Sequence, residues 1–173
     1  ILVDTGLGTD INARTQLVRR LSDLGAPPPS IDTVVCSTGQ ADHAGNAYQF
    51  PDALHYQGVF AIHANRFNIT ALFEKDSLWL TRRVRLVRVP GHTADDVAVL
   101  VDRAQHWGNT AIAGDVFIRR EDLDYPMMWR PLAHDEKTQE ASRRKLLCWA
   151  DTIVPGHGPP FRVTDEMRHR MGC

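Results

Sequence analysis

The chain is short of cysteine, of long apolar runs and of net charge, and each shortage excludes something. Its 173 residues contain three cysteines, Cys36, Cys148 and Cys173. An odd, low count in a chain long enough to build a core without staples predicts reduced thiols, no disulfide, and an intracellular, cytoplasmic or nuclear location. The longest apolar runs, Thr33–Cys36, Val97–Val101 and Thr152–Val154, fall far below the ~20 residues that span a bilayer, so no membrane partner is expected. Twenty basic residues against 21 acidic ones give a net charge of −1. No whole-chain field therefore draws polyanions, and a nucleic-acid partner would need a local patch. Repeats, low-complexity tracts and Gly/Ser linkers are absent, which predicts a single domain over residues 1–173. There is no initiator methionine before Ile1, so an upstream piece is expected to be missing.

What is present is enough for a core, with 43% hydrophobic and 24% charged residues. Ile1–Val3 reads as a buried strand feeding the turn Asp4-Thr5-Gly6-Leu7-Gly8. A helix follows, capped by Asp10, with Leu17, Val18, Leu21 and Leu24 as its apolar stripe, and Gly25 and Pro27–Pro29 end it. Strands are predicted at Thr33–Cys36, Leu54–Tyr56, Val59–Ala64, Val97–Val101, Thr110–Ala113 and Thr152–Val154. Val84–Val89 reads as a half-buried edge strand. A second helix is predicted over Asp135–Ala150, with Ala141, Leu146 and Trp149 inward and Arg143, Arg144 and Lys145 outward. Strands interleaved with helices indicate an α/β class, α+β by some schemes, with its site at strand ends.

Three of the eight histidines lie in turns directly after apolar segments: His43 in Gly39-Gln40-Ala41-Asp42-His43, His92 in Pro90-Gly91-His92, and His157 in Pro155-Gly156-His157-Gly158. Asp42 and Asp115 share that setting. Imidazole nitrogens and carboxylate oxygens suit Zn²⁺ and similar divalent ions, and loops held by strands can aim them at one point. A histidine in a Pro-Gly turn can equally bond only a loop carbonyl, so it is the set rather than any member that predicts a metal site. Arg82, Arg83, Arg85 and Arg88, and the block Arg143–Lys145, are candidate phosphate contacts, although such runs more often keep a surface solvated.

The order Asp4-Thr5-Gly6, Thr38-Gly39-Gln40-Ala41-Asp42-His43-Ala44-Gly45-Asn46, Pro90-Gly91-His92-Thr93, Gly114-Asp115 and Pro155-Gly156-His157-Gly158 resembles the metallo-β-lactamase superfamily over almost the whole chain. Ala113-Gly114-Asp115-Val116-Phe117 and Val154–Val163 resemble an animal branch of it linked to cleaving RNA phosphodiester bonds. The resemblance implies an αββα sandwich, here entered partway through its first sheet, with a metal centre at the sheet edge. It implies that His92 belongs to a first metal site, that Asp42, His43 and His157 form a second, and that Asp115 bridges them.

The family motif has histidines where this chain has Thr38 and Gln40. A hydroxyl and a neutral amide oxygen are poor substitutes for two imidazoles, so one ion rather than two is expected, zinc ahead of iron or manganese. The resemblance then implies a metallohydrolase, of the endoribonuclease type first, with Asp42 orienting or deprotonating water and His92 donating a proton or binding substrate. Two alternatives stand beside it: a thioester hydrolase of the glyoxalase II kind, and a metal-binding or interaction protein that lost turnover through Thr38 and Gln40. The expected substrate is a small molecule or RNA, and a homodimer is compatible with either.

Overall fold

The computed structural model describes residues 1–173. Its strands form two sheets. The first joins β1 (Leu2–Val3), β2 (Thr33–Cys36), β3 (Leu54–Gln57), β4 (Phe60–His63) and β5 (Arg66–Ile69) in that order. β1, β2 and β3 run parallel, and β3, β4 and β5 form antiparallel hairpins. The second sheet contains β6 (Ser77–Trp79), β7 (Val84–Arg88), β8 (Val97–Ala104), β9 (Gly108–Gly114), β10 (Thr152–Pro155) and β11 (Phe161–Arg162), ordered β11-β10-β9-β8-β7-β6. Only β9 and β10 are parallel within it.

Side-chain alternation builds the layers, because successive residues of a strand face opposite sides. On β2, Val34 and Cys36 face one way and join Ile31, Phe50 and Ala53, with Leu17 and Leu21 of helix α1 (Ile11–Asp23) packed on them. Val35 faces the other way and meets Leu86, Val97 and Val99 of the second sheet. On that sheet Val87, Ala98, Leu100, Ala111 and Ala113 face outward and are covered by Leu146 and Leu147 of helix α3 (Glu136–Trp149). The order is helix, sheet, sheet, helix, the αββα sandwich expected. The short helices α2 (Ala41–Ala44) and α4 (Asp165–Arg170) complete the set.

Both long helices begin as predicted, since the carboxylates of Asp10 and Asp135 accept from the amides of Ala13 and Thr138. Several expectations fail. Leu24 is 81% exposed and lies beyond the helical stripe. Val84–Arg88 is an inner strand, because β6 pairs with its outer side at Ser77, Leu78 and Trp79. The strand β5 escaped notice because none of its four residues is buried, so it shows no apolar alternation.

On α3, Ala141 faces solvent whereas Arg143 is buried, its guanidinium 2.6 Å from the carboxylate of Asp122. The helix stripe runs through Gln139, Arg143, Leu146 and Ala150, and a basic residue within it reads as outward until its partner is known.

The expectation of three free thiols also fails. Cys148 and Cys173 form a disulfide, and only Cys36 is free. Packing of Met167 in the α3 core, with Arg144 bonding the carbonyls of Met171 and Gly172, brings residue 173 beside residue 148. The cysteine count therefore no longer argues for a reducing compartment. No helix is long and apolar enough to cross a membrane.

Candidate metal centre

Four residues predicted as ligands meet at one end of the sandwich. One ligand atom each from Asp42, His43, Asp115 and His157 lies within 4.8 Å of the others. Each follows the carboxyl end of a strand: Asp42 and His43 sit in α2 after β2, Asp115 follows β9, and His157 follows β10. The parallel pairing of β9 with β10 places Gly114 opposite Pro155, which brings the last two loops together. Gly156 must lack a side chain, since a Cβ there would collide with Oδ1 of Asp115.

His43 is the most strongly held. Its Nδ1 lies 2.8 Å from Oδ2 of Asp4, and that carboxylate also accepts from the amide and hydroxyl of Ser37, each at 2.7 Å. Asp4 adopts a left-handed backbone at φ 56°, a conformation aspartate tolerates better than most residues. Thr5 donates its amide to the carbonyl of His43, and Asn46 donates to the carbonyl of Thr5. The turn Asp4-Thr5-Gly6 is thus bolted to the segment carrying Asp42 and His43. With Nδ1–H given to Asp4, Nε2 of His43 is directed at Asp115 Oδ2, 3.3 Å away. A carboxylate behind a histidine in this way fixes the tautomer that a metal requires.

Nε2 of His43 and Oδ1 of Asp115 are buried without hydrogen-bond partners. Buried polar atoms are almost always paired, and two orphans facing one point form a cradle suited to a cation. His157 Nε2 lies 3.3 Å from Asp115 Oδ1 and 3.4 Å from Asp42 Oδ2. Burial opposes a charge on His43, yet the adjacent carboxylates of Asp115 and Asp4 outweigh it and push its pKa up to about 10. Burial likewise opposes the Asp115 charge, but His43, followed by His157 and His92, holds its carboxyl below the usual range. Two imidazoles and two carboxylates of this chemistry fit Zn²⁺.

His92 stands apart from the four. Its Nε2 is 2.9 Å from Oε1 of Gln40 and 3.5 Å from Asp115 Oδ2. Of the two residues that depart from the family motif, Gln40 sits against His92 and occupies its Nε2, and the Thr38 hydroxyl is buried without a partner. Cys36, at the end of β2, lies outside the cluster, and burial, reinforced by the Asp4 charge, pushes its thiol up to about 12. Asp4 is the functional residue missed in the sequence. It lies in a strand-end turn, and nothing in the local sequence shows that it faces His43.

A cavity of about 600 Å³ opens beside Gln40, lined by Thr38, Gln57, Phe60, Ile62, Phe67 and Asp95 among others. No lysine or arginine lines it.

A scan of protein-family models finds no match to the chain. It is 39% identical over 168 residues to metallo-beta-lactamase domain-containing protein 1 of Homo sapiens, covering 96% of this chain and 60% of that protein. The Xenopus laevis protein of that name is 35% identical over 158 residues, covering 87% of this chain and 64% of the other. An uncharacterized protein of Caenorhabditis elegans is 36% identical over 174 residues, covering 100% of this chain and 48% of its own length. The chain thus spans about half of the nematode relative and under two thirds of the vertebrate ones.

Among solved structures, an N-acyl homoserine lactone hydrolase with its product at the catalytic metal centre superposes with a TM-score of 0.67. It is 16% identical, over 90% of this chain and 75% of that one. A metallo-beta-lactamase family protein of Thermus thermophilus gives 0.64 at 20% identity, over 98% of this chain and 67% of that one. The motif order, the four layers and the relatives agree over the same residues: the chain is similar in sequence to the metallo-beta-lactamase domain-containing proteins and shares the metallo-β-lactamase fold.

Proposed function

We propose that this chain is a hydrolase that holds one Zn²⁺ on Asp42, His43, Asp115 and His157 and cleaves a carboxylic ester bond, as in a lactone or thioester. The observation that carries the hydrolase reading is the pair of buried, unpartnered ligand atoms on His43 and Asp115, within a cluster that Asp42 and His157 complete. Zinc bound there supplies a Lewis acid and lowers the pKa of water toward ~7.

The chain's own residues divide the remaining work. Asp4 keeps His43 in one tautomer. Asp42, exposed to solvent, is the carboxylate able to take a proton from attacking water. Gln40, with its Oε1 engaged by His92, has its amide hydrogens left for a substrate oxygen. His92 accordingly serves substrate binding rather than a second ion.

The cavity lining favours the acyl substrate over RNA. Phe60, Ile62 and Phe67 provide an apolar wall, and Asp95 is the one charged residue among the lining. A phosphate backbone needs cations along its path, whereas a neutral acyl group gains from apolar contact. The strings Ala113–Phe117 and Val154–Val163 resemble the branch linked to RNA cleavage, so single-stranded RNA stays in the test. Metal analysis of purified chain, then turnover of a thioester, a lactone and single-stranded RNA, decides. One zinc per chain with acyl hydrolysis is expected. RNA cleavage with inert acyl compounds would replace the substrate, and a chain that takes up no zinc and turns over nothing would leave only the degenerate reading.

A further inference from the structure

We propose that Gln139 and Arg143, one turn apart on α3, are positioning residues for the metal centre: they fix the backbone that carries Asp115 and, through it, the loop that carries His157. The inference rests on the metal reading above.

Gln139 is fully buried and donates its amide to the carbonyls of Asp115 (3.1 Å) and Val116 (3.3 Å). Arg143 donates to the carbonyl of Val116 at 2.7 Å and to Asp122 at 2.6 Å, and the other oxygen of Asp122 accepts from the amide of Ile118 at 2.8 Å. Residues 115–118 are therefore gripped from α3 at successive peptide groups. The same segment then receives the amides of Gly156 and His157 on the carbonyls of Phe117 and Ile118, each at 2.9 Å. Two of the four candidate ligands thus share one support.

The helix also holds the loop of His92. Ser142 donates to the carbonyl of Pro90 at 2.7 Å, and Gly91 lies so close to the backbone of Gln139 that a Cβ would overlap it.

Packing alone does not account for these side chains. The Oε1 of Gln139 is buried with no partner, a cost that a leucine of similar size would avoid. Arg143 and Asp122 are both almost wholly buried, and a buried ion pair is often no more stabilising than apolar residues of the same volume. What they add is direction. The guanidinium is stacked over Phe117 and Trp129, 4.2 and 4.8 Å from the ring centres, so its donors cannot swing away. Supports of this kind usually matter about 10–100-fold in metal affinity.

The test is titration of the metal-stripped full chain with Co²⁺, followed by visible absorption, with urea unfolding measured in parallel. Gln139→Leu and the milder Arg143→Lys are compared with Leu146→Ala, which opens a cavity in the same helix's core and removes none of the hydrogen bonds to the loop. The two positioning variants are expected to bind Co²⁺ about 10–100-fold more weakly with a shifted visible band, and Leu146→Ala to bind as the unaltered chain does while unfolding earlier. If all three variants lose affinity only in step with stability, or Gln139→Leu binds normally, the positioning role is overturned and the metal reading stands. An unaltered chain that binds no Co²⁺ overturns both.

Discussion

Replacing Asp4 by asparagine probes the support of His43 directly. The side chains have nearly the same shape, and asparagine accepts the left-handed backbone at φ 56°. The variant loses the negative charge and one acceptor, so the donors from Ser37 and His43 can no longer all be met. Each hydrogen bond to a charged group contributes about 1.5–3 kcal/mol. Loss of a carboxylate behind a metal-binding histidine is expected to weaken binding about 10–100-fold, equivalent to about 1.4–2.8 kcal/mol.

The pH dependence sharpens the expectation. His43 rises from 6.5 to about 10 in the metal-free chain, so the stability it contributes there is complete below pH 6.5 and is lost as pH rises through about 10. Metal binding runs the other way, because the ion must displace that proton. Affinity for Co²⁺ should climb about tenfold per pH unit between roughly pH 7 and 9, where an ordinary histidine would already have levelled off. In Asp4→Asn the levelling should begin at lower pH. Co²⁺ titration across that range measures both quantities. An asparagine variant with unchanged affinity, or an unaltered chain whose affinity is flat above pH 7, would refute the role given to Asp4.

Other outcomes follow from single features. Thr38→His with Gln40→His should raise the metal content from one ion to two by elemental analysis, since His92 Nε2 is now committed to Gln40. Cys148→Ser should lower the free energy of urea unfolding by about 3.5 kcal/mol, the entropy of closing a loop of this size, and reductant should have no further effect on the variant. Asp135→Ala should lower stability at neutral pH by removing the cap of α3. The amide of Thr138 holds the Asp135 carboxyl below 3.8, so that contribution is present above this value and vanishes as pH falls through the lower folded-state one, which acid unfolding of the two proteins would show.

Where the sequence signal was local, it read correctly. The caps at Asp10 and Asp135 need only a carboxylate one turn before its amide, and the buried strands β2, β8 and β10 need only a run of apolar residues. The motif strings pointed to Asp42, His43, Asp115 and His157, which the fold brings into one cluster. The exposed β5, the inner position of β7 and the burial of Arg143 were not legible, because each depends on which neighbour lies across a sheet or against a helix.

The same distinction separates the chemistry that the residues carry from the geometry that makes it usable. Residue types and order alone determined the fold family, the imidazole and carboxylate donors, and the loss of two histidines. Tertiary structure decided that Asp4 stands behind His43, that Gln40 closes on His92, that Cys148 meets Cys173, and that α3 grips the Asp115 loop. These contacts join residues 24 to 52 positions apart, and hydrogen bonds and disulfides form only within a few ångströms. Chain folding, and no local pattern, brings such partners into range.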